Sequence, residues 1–166
     1  MLAVAATHRS ATGGNLFEDL LAEARATTSR VVLAGEHWTA FVPYAARWPY
    51  EVHLYPPIAA SPTSPTSRRP NAPSSPGCTW SCCAGSTGCS LKKGGTVQTA
   101  PTPYISAWHQ APKTGGQELA LHLELFTVRR SAGKLKFLAG VESGMDSFVN
   151  DVAPEVAAAR LREVAS

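Results

Sequence analysis

In the stretch LALHLELF, residues 119 to 126, a period of two places Leu119, Leu121, Leu123 and Leu125 on one face of a strand and Ala120, His122, Glu124 and Phe126 on the other. An imidazole and a carboxylate at i and i+2 on a rigid strand project side by side and offer one nitrogen and one oxygen donor to a first-row metal ion. His109, at the end of YISAWH, and Glu36, in GEHW, are of the right type to complete such a set. The plainer reading is a hydrogen-bonded surface histidine and glutamate, and a single His-x-Glu spacing does not separate the two.

A second group of metal-capable residues is crowded into SPGCTWSCCAGSTGCS, which holds all four cysteines: Cys78, Cys82, Cys83 and Cys89. Zinc sites usually pair cysteines as Cys-x2-Cys. The gaps here are Cys-x3-Cys-Cys-x5-Cys with no histidine nearby, which argues against such a site. Two disulfides are allowed by number alone, but they suit an oxidising compartment.

The elements that must position these groups follow from local pattern. Leu16, Phe17, Leu20, Leu21 and Ala24 recur at three-to-four-residue spacing, with acids early and Arg25 late, and predict an amphipathic helix at about 15 to 27. RVVLAGEHWTAFVPYAARWPYEVHLYP then reads as an antiparallel meander: two runs of β-branched and aromatic residues joined at Gly35, and a third after the break at Pro49. YISAWHQAP and QELALHLELFTV are strand-like, and APEVAAARLREVA closes the chain as a helix with Pro154 in its first turn. Between them, Pro57 to Thr102 is dominated by Pro, Ser, Thr, Arg, Gly and Cys and follows neither periodicity, so it reads as irregular loop or disorder. The fold class is therefore α+β, an antiparallel sheet with flanking helices, in one domain over residues 1–166.

A formal charge of +3 with no basic run longer than two residues lacks the footprint of a nucleic-acid binder. No apolar stretch approaches the roughly 20 residues that span a bilayer, and the first residues lack the pattern of a secretory signal. The expectation is a soluble cytoplasmic protein without nucleic-acid or membrane partners.

Taken together, NLFEDLL, GEHWTAFVPYAARWPYEVHLYP, PYISAWHQAP, LHLELF and KLKFLAGVESGMDSFVNDVAPEVAAARLR resemble the C-terminal half of galactose-1-phosphate uridylyltransferase, of the histidine-triad superfamily, over nearly all of residues 13 to 163 except the middle segment. The resemblance implies a histidine-triad-like fold, a subunit built of two such halves, and dimerisation. It implies transfer of UMP from UDP-glucose to galactose 1-phosphate through a uridylyl-histidine. By the same resemblance Glu36, His109 and His122 fall on ligand positions of a structural site for iron or zinc, and Glu124 stands where many members have a second histidine. Lys136 and Glu142 fall on positions that contact the nucleotide sugar across the dimer interface. A lysine suits phosphate and a carboxylate suits sugar hydroxyls. Val141 and Phe148 depart from the tyrosine and glutamine common there, so no sugar contact carries over to them. The plainer reading of Lys136 and Glu142 is that they cap exposed strand ends.

The family nucleophile is the second histidine of a His-Pro-His motif, and no such motif occurs in these residues. The resemblance implies a C-terminal fragment, inactive alone and without the first zinc site, or else a non-catalytic metal- or nucleotide-binding module. The family also has a helix where this chain has the cysteine-rich segment. Shifted by one base, Cys and Trp codons become Leu, Val or Met codons. One GC-rich codon choice turns PGCTWSCCAGSTGCS into ARVHLVLLRRLDRLF, an amphipathic helix. Residues 57–100 thus read as a frameshifted helix or as a genuine insertion.

Overall fold

The computed structural model describes residues 1–56, 102–110, 118–131 and 134–165. The segment expected to be irregular, with its four cysteines and the frameshift reading, lies almost entirely outside these residues.

The chain opens with α1 (Leu2–Thr12) and α2 (Leu16–Thr27). The Asn15 side chain caps α2 by accepting from the Phe17 N–H at 2.9 Å and the Glu18 N–H at 3.4 Å, and Glu18 and Asp19 add negative charge to the first turn. This matches the helix read from spacing. α1 was not foreseen, because its Ala-rich sequence buries only Ala5 and so carries little amphipathic signal.

Five strands follow: β1 (Val31–Ala34), β2 (Thr39–Phe41), β3 (Glu51–Tyr55), β4 (Ile105–His109) and β5 (His122–Phe126). They form one antiparallel sheet in the order β1-β2-β3-β5-β4, so β5 is inserted between the meander and β4, which is left at the edge. A small ribbon, β6 (Arg129–Ser131) with β7 (Lys134–Leu135), leads into the short α3 (Gly140–Met145), and α4 (Pro154–Ala165) ends the chain. None of the described helices is long and apolar enough to cross a membrane.

Alternation divides the sheet into two faces with different tasks. Ala40, Val52, Leu54, Leu123 and Leu125 pack against Ala157, Ala158 and Leu161 of α4 to make the larger core cluster. Each large side chain buried there contributes about 1.5–3 kcal/mol. The opposite face carries Phe41 and Tyr55 against Phe17, Leu21 and Ala24 of α2. His122 and Glu124 share that second face because their neighbours Leu123 and Leu125 are committed to the first. A one-residue slip of β5 would exchange the two sets.

Candidate metal centre

Strand pairing brings the candidate ligands together. His109 of β4 lies directly opposite His122 of β5, and Glu124 lies opposite His53 of β3 on one side and Ala107 of β4 on the other. The His109 and His122 rings stack with centroids 4.7 Å apart and planes 9° from parallel. Glu124 holds one carboxylate oxygen 3.5 Å from His109 Nε2 and the other 3.5 Å from His122 Nε2. One ligand atom from each of the three residues falls within a 4.8 Å cluster. A tetrahedral ion with bonds of roughly 2.1 Å sets its donors about 3.4 Å apart, so the two carboxylate–imidazole separations already have the required spacing.

The hydrogen bonding of His122 is what distinguishes this cluster from a decorative one. The ring is 1% exposed. Its Nδ1 lies 2.8 Å from the Ala120 carbonyl oxygen, which only accepts, so Nδ1 carries the proton and Nε2 is left with its lone pair. That Nε2, and the Nε2 of His109, are buried with no hydrogen-bond partner. A buried, unsatisfied imidazole nitrogen costs on the order of 1–3 kcal/mol unless something binds it, and two of them facing one carboxylate fit a cation. With no ion present, the Glu124 carboxyl is held down to about 2, first by a hydrogen bond that the His122 ring donates when Nε2 also carries a proton and then by His53 and His109, against the opposing effect of burial; an ion would take that proton's place. Glu124 is an anion throughout the physiological range and a ready oxygen donor.

An aromatic wall closes the cluster on the α2 side. Phe17 and Tyr55 each place a ring centroid 5.1 Å from that of His122. Burial, with the Glu124 charge second, raises the Tyr55 phenol above its ordinary value, so it stays neutral. His53 stacks on Tyr55 and is held at 3.0 Å by Glu51, whose other oxygen accepts the Arg47 and Trp48 N–H groups at 2.7 and 3.1 Å. His53, Tyr55 and Glu51 were not singled out from the sequence. The signal was present, since period two in EVHLY puts all three on one face of β3. The Ala120 carbonyl had no sequence signal at all.

Glu36 is where the structure departs from the expected ligand set. It sits in the β1–β2 turn, which the Gly35 N–H closes by donating to the Trp38 carbonyl at 2.8 Å. The turn directs Glu36 outward: its side chain is 88% exposed and faces His37 at 4.0 Å. It is not among the residues whose ligand atoms converge, which are His109, His122 and Glu124.

Lys136 and Glu142 are also brought together, though as partners of each other. Lys136 Nζ reaches Glu142 at 2.8 Å and donates to the Arg47 and Val149 carbonyls, both at 2.7 Å. Glu142 accepts the Ala139 N–H at the start of α3 at 2.7 Å and the Val149 N–H at 3.0 Å. Lys136, the Ala139 N–H and the Val149 N–H together hold the Glu142 carboxyl down to about 2. Both side chains have little solvent contact, unlike the exposed strand-end caps of the plainer reading, and they border an open groove of about 380 Å³ with Arg130, Phe137 and Asp151.

No family model matches the chain. Individual relatives do. The chain is 38% identical over 182 aligned positions to the galactose-1-phosphate uridylyltransferase of Streptomyces lividans, covering 99% of this chain and 47% of that protein. It is 33% identical over 145 positions to the enzyme of the same name from Thermotoga maritima, covering 81% of this chain and 40% of that one. Among solved structures, a uridylyltransferase mutant superposes with a TM-score of 0.77 at 30% identity, covering 99% of this chain and 51% of that chain. The chain spans about half the length of the curated relatives it matches, a share that fits the C-terminal half read from the motifs.

Proposed function

Since the chain belongs with the galactose-1-phosphate uridylyltransferases over about half of their length, we propose that it supplies the metal-holding, substrate-contacting half of an enzyme moving UMP from UDP-glucose to galactose 1-phosphate. The observation that carries this reading is the convergence of two buried imidazole nitrogens and one carboxylate on a sheet of the uridylyltransferase fold. Two nitrogens and one oxygen make a donor set for zinc or iron, with His109, His122 and Glu124 as the residues that hold the ion. Such an ion binds β4 to β5, a structural task, and no chemical step is assigned to it.

Lys136 and Glu142 serve the nucleotide sugar in this reading by fixing one wall of the groove they border. Direct contact with substrate requires them to exchange partners they already hold. A homodimer and a cytoplasmic setting go with the same kinship. None of the five histidines lies in a His-Pro-His sequence, so uridylyl transfer needs a nucleophile supplied from outside these residues.

The test is to incubate the purified chain with UDP-glucose labelled on the α-phosphorus and with galactose 1-phosphate, alone and with the separately expressed remainder of the Streptomyces lividans relative. The expected result is no adduct and no UDP-galactose alone, and transfer with the complement. A labelled uridylyl adduct on this chain alone refutes the division of labour. No transfer with a complement that binds the chain refutes the enzymatic reading and leaves the non-catalytic module.

A further inference from the structure

We propose that Arg47 takes a phosphate oxygen of the nucleotide sugar at the groove bordered by Lys136 and Glu142, a task for which Lys136 has no donor to spare. The inference rests on the substrate-contacting reading above and adds to it the residue that meets the phosphate.

Lys136 is fully committed. Its Nζ reaches Glu142 at 2.8 Å and the Arg47 and Val149 carbonyls at 2.7 Å each, which uses all three ammonium protons. Arg130, also on the groove, is engaged by Asp151. Among the other described arginines, Arg9, Arg25, Arg30, Arg160 and Arg162 each donate to an oxygen. All twelve acidic residues of the chain lie among the described residues, so every carboxylate can be placed. None of them pairs with the guanidinium of Arg47, which lies on a ring, or with that of Arg129, whose Nε has no partner.

Of these two, Arg47 is placed to receive a ligand. It is exposed, and its guanidinium carbon lies 4.9 Å from the centroid of the Phe148 ring. Its N–H donates to Glu51 at 2.7 Å and its carbonyl accepts from Lys136 at 2.7 Å, so the backbone is fixed on both sides while the side chain rests on an aromatic face with its N–H edge unspent. A cation ordered in this way loses little further freedom when an oxyanion arrives, and the planar fork of N–H groups matches two oxygens of a phosphate. Arg47 stands beside the groove because two of the residues that line it are joined to this arrangement: Lys136 through the Arg47 carbonyl, and Val149 as the chain neighbour of Phe148. Arg129 is half-buried and its Nε is sealed from solvent, which makes it the specific rival.

The experiment measures UDP-glucose binding to the full chain by isothermal titration at low and high salt, with the Tm of each variant as a check on folding. The wild-type chain is expected to bind, and to bind more weakly as salt rises. Arg47→Ala should keep its Tm, lose about 10- to 100-fold in affinity, as for a hydrogen bond to a charged group, and respond less to salt. Arg47→Lys should fall between the two, because the charge remains and the planar fork is lost, and it carries the comparison if Arg47→Ala lowers Tm. Phe148→Leu should show a smaller loss than Arg47→Ala, since it removes only the platform under the guanidinium. Arg129→Ala should bind as the wild type does. Unchanged affinity in Arg47→Ala overturns the inference and leaves the substrate-contacting reading standing. A loss confined to Arg129→Ala overturns it too, by moving the phosphate there, as does a loss in Arg47→Ala with wild-type salt dependence, which makes Arg47 a matter of shape. Failure of the wild-type chain to bind UDP-glucose overturns the substrate-contacting reading itself, and the inference falls with it.

Discussion

The face of β5 and the Lys136–Glu142 pair are both clusters of buried or half-buried polar groups on which site residues were expected, yet their hydrogen bonding is opposite in kind. Around His122 and His109, two imidazole nitrogens are buried without partners. Around Lys136, three ammonium protons meet three acceptors, and both Glu142 oxygens are occupied. A satisfied cluster explains itself as architecture: it ties α3 and the Val149 backbone to the Arg47 loop. An unsatisfied one calls for something to bind, and two nitrogens beside one carboxylate suit a cation.

Substitutions at the two clusters should therefore fail in different ways. The largest effect is expected from His122→Ala, which removes a ligand and the ring against which Phe17, Tyr55 and His109 pack. Metal affinity should fall by about 100-fold or more, since even outer-shell partners of a metal ligand are worth 10–100-fold. Stability should fall by roughly 2–5 kcal/mol as for other large-to-small core changes. Isothermal titration with zinc and a urea melt measure the two separately. If zinc affinity is unchanged, the contrast between the clusters collapses.

Metal removal comes next. Chelation of the loaded chain should lower Tm, because an ion present at a hundredfold excess over its Kd stabilises by about 2.7 kcal/mol. Calorimetry with and without chelator reads this directly, and an unchanged Tm in protein shown to carry metal would place the ion elsewhere.

Lys136→Met should show the reverse pattern: a lower Tm, from stranding the Glu142 carboxylate, with zinc affinity unaltered. The pH dependence follows from Glu142, whose folded value of about 2 lies below the ordinary 4.5. A depressed folded value means that its contribution is complete above about pH 4.5 and is lost as pH falls from there toward 2. The acid limb of a stability–pH curve should accordingly flatten over that window in Glu142→Gln. The smallest effect is expected at Glu36→Ala, which should change stability by less than about 0.5 kcal/mol and leave zinc affinity unmoved. A tenfold loss of zinc affinity there would restore Glu36 to the ligand set.

The legible parts of the sequence were those governed by period. Helix α2, the three-strand meander, the pairing face of β5 and the Pro154 helix start all follow from spacing that one buried face enforces. His122 and Glu124 were found because alternation alone puts them together, whereas His109 was chosen for its type and by resemblance, and it is the register of β4 against β5 that brings it to them. What spacing could not give was tertiary partnership. Glu36 has the right chemistry, but a tight turn aims it at solvent. The link from Lys136 to Arg47 joins residues 89 apart, for which a local pattern holds no information. Strand β5 also begins at His122, later than the hydrophobic run suggested, because Leu119 and Ala120 both pack toward the α2 cluster and end the alternation there.

The edge position of β4 has a consequence for how the molecule comes apart. β4 pairs with β5 along one side only, and Ile105 and Trp108 are about half exposed, so it can peel away without uncovering a strand on its other side. His109 and His122 stand opposite each other across that single seam. An ion shared between them rivets the seam at its His109–His122 end. Amide hydrogen exchange along residues 105 to 109 would then slow on metal addition while β2, interior to the sheet, keeps its own pace. This edge strand would thus act as a gauge of whether the ion is in place.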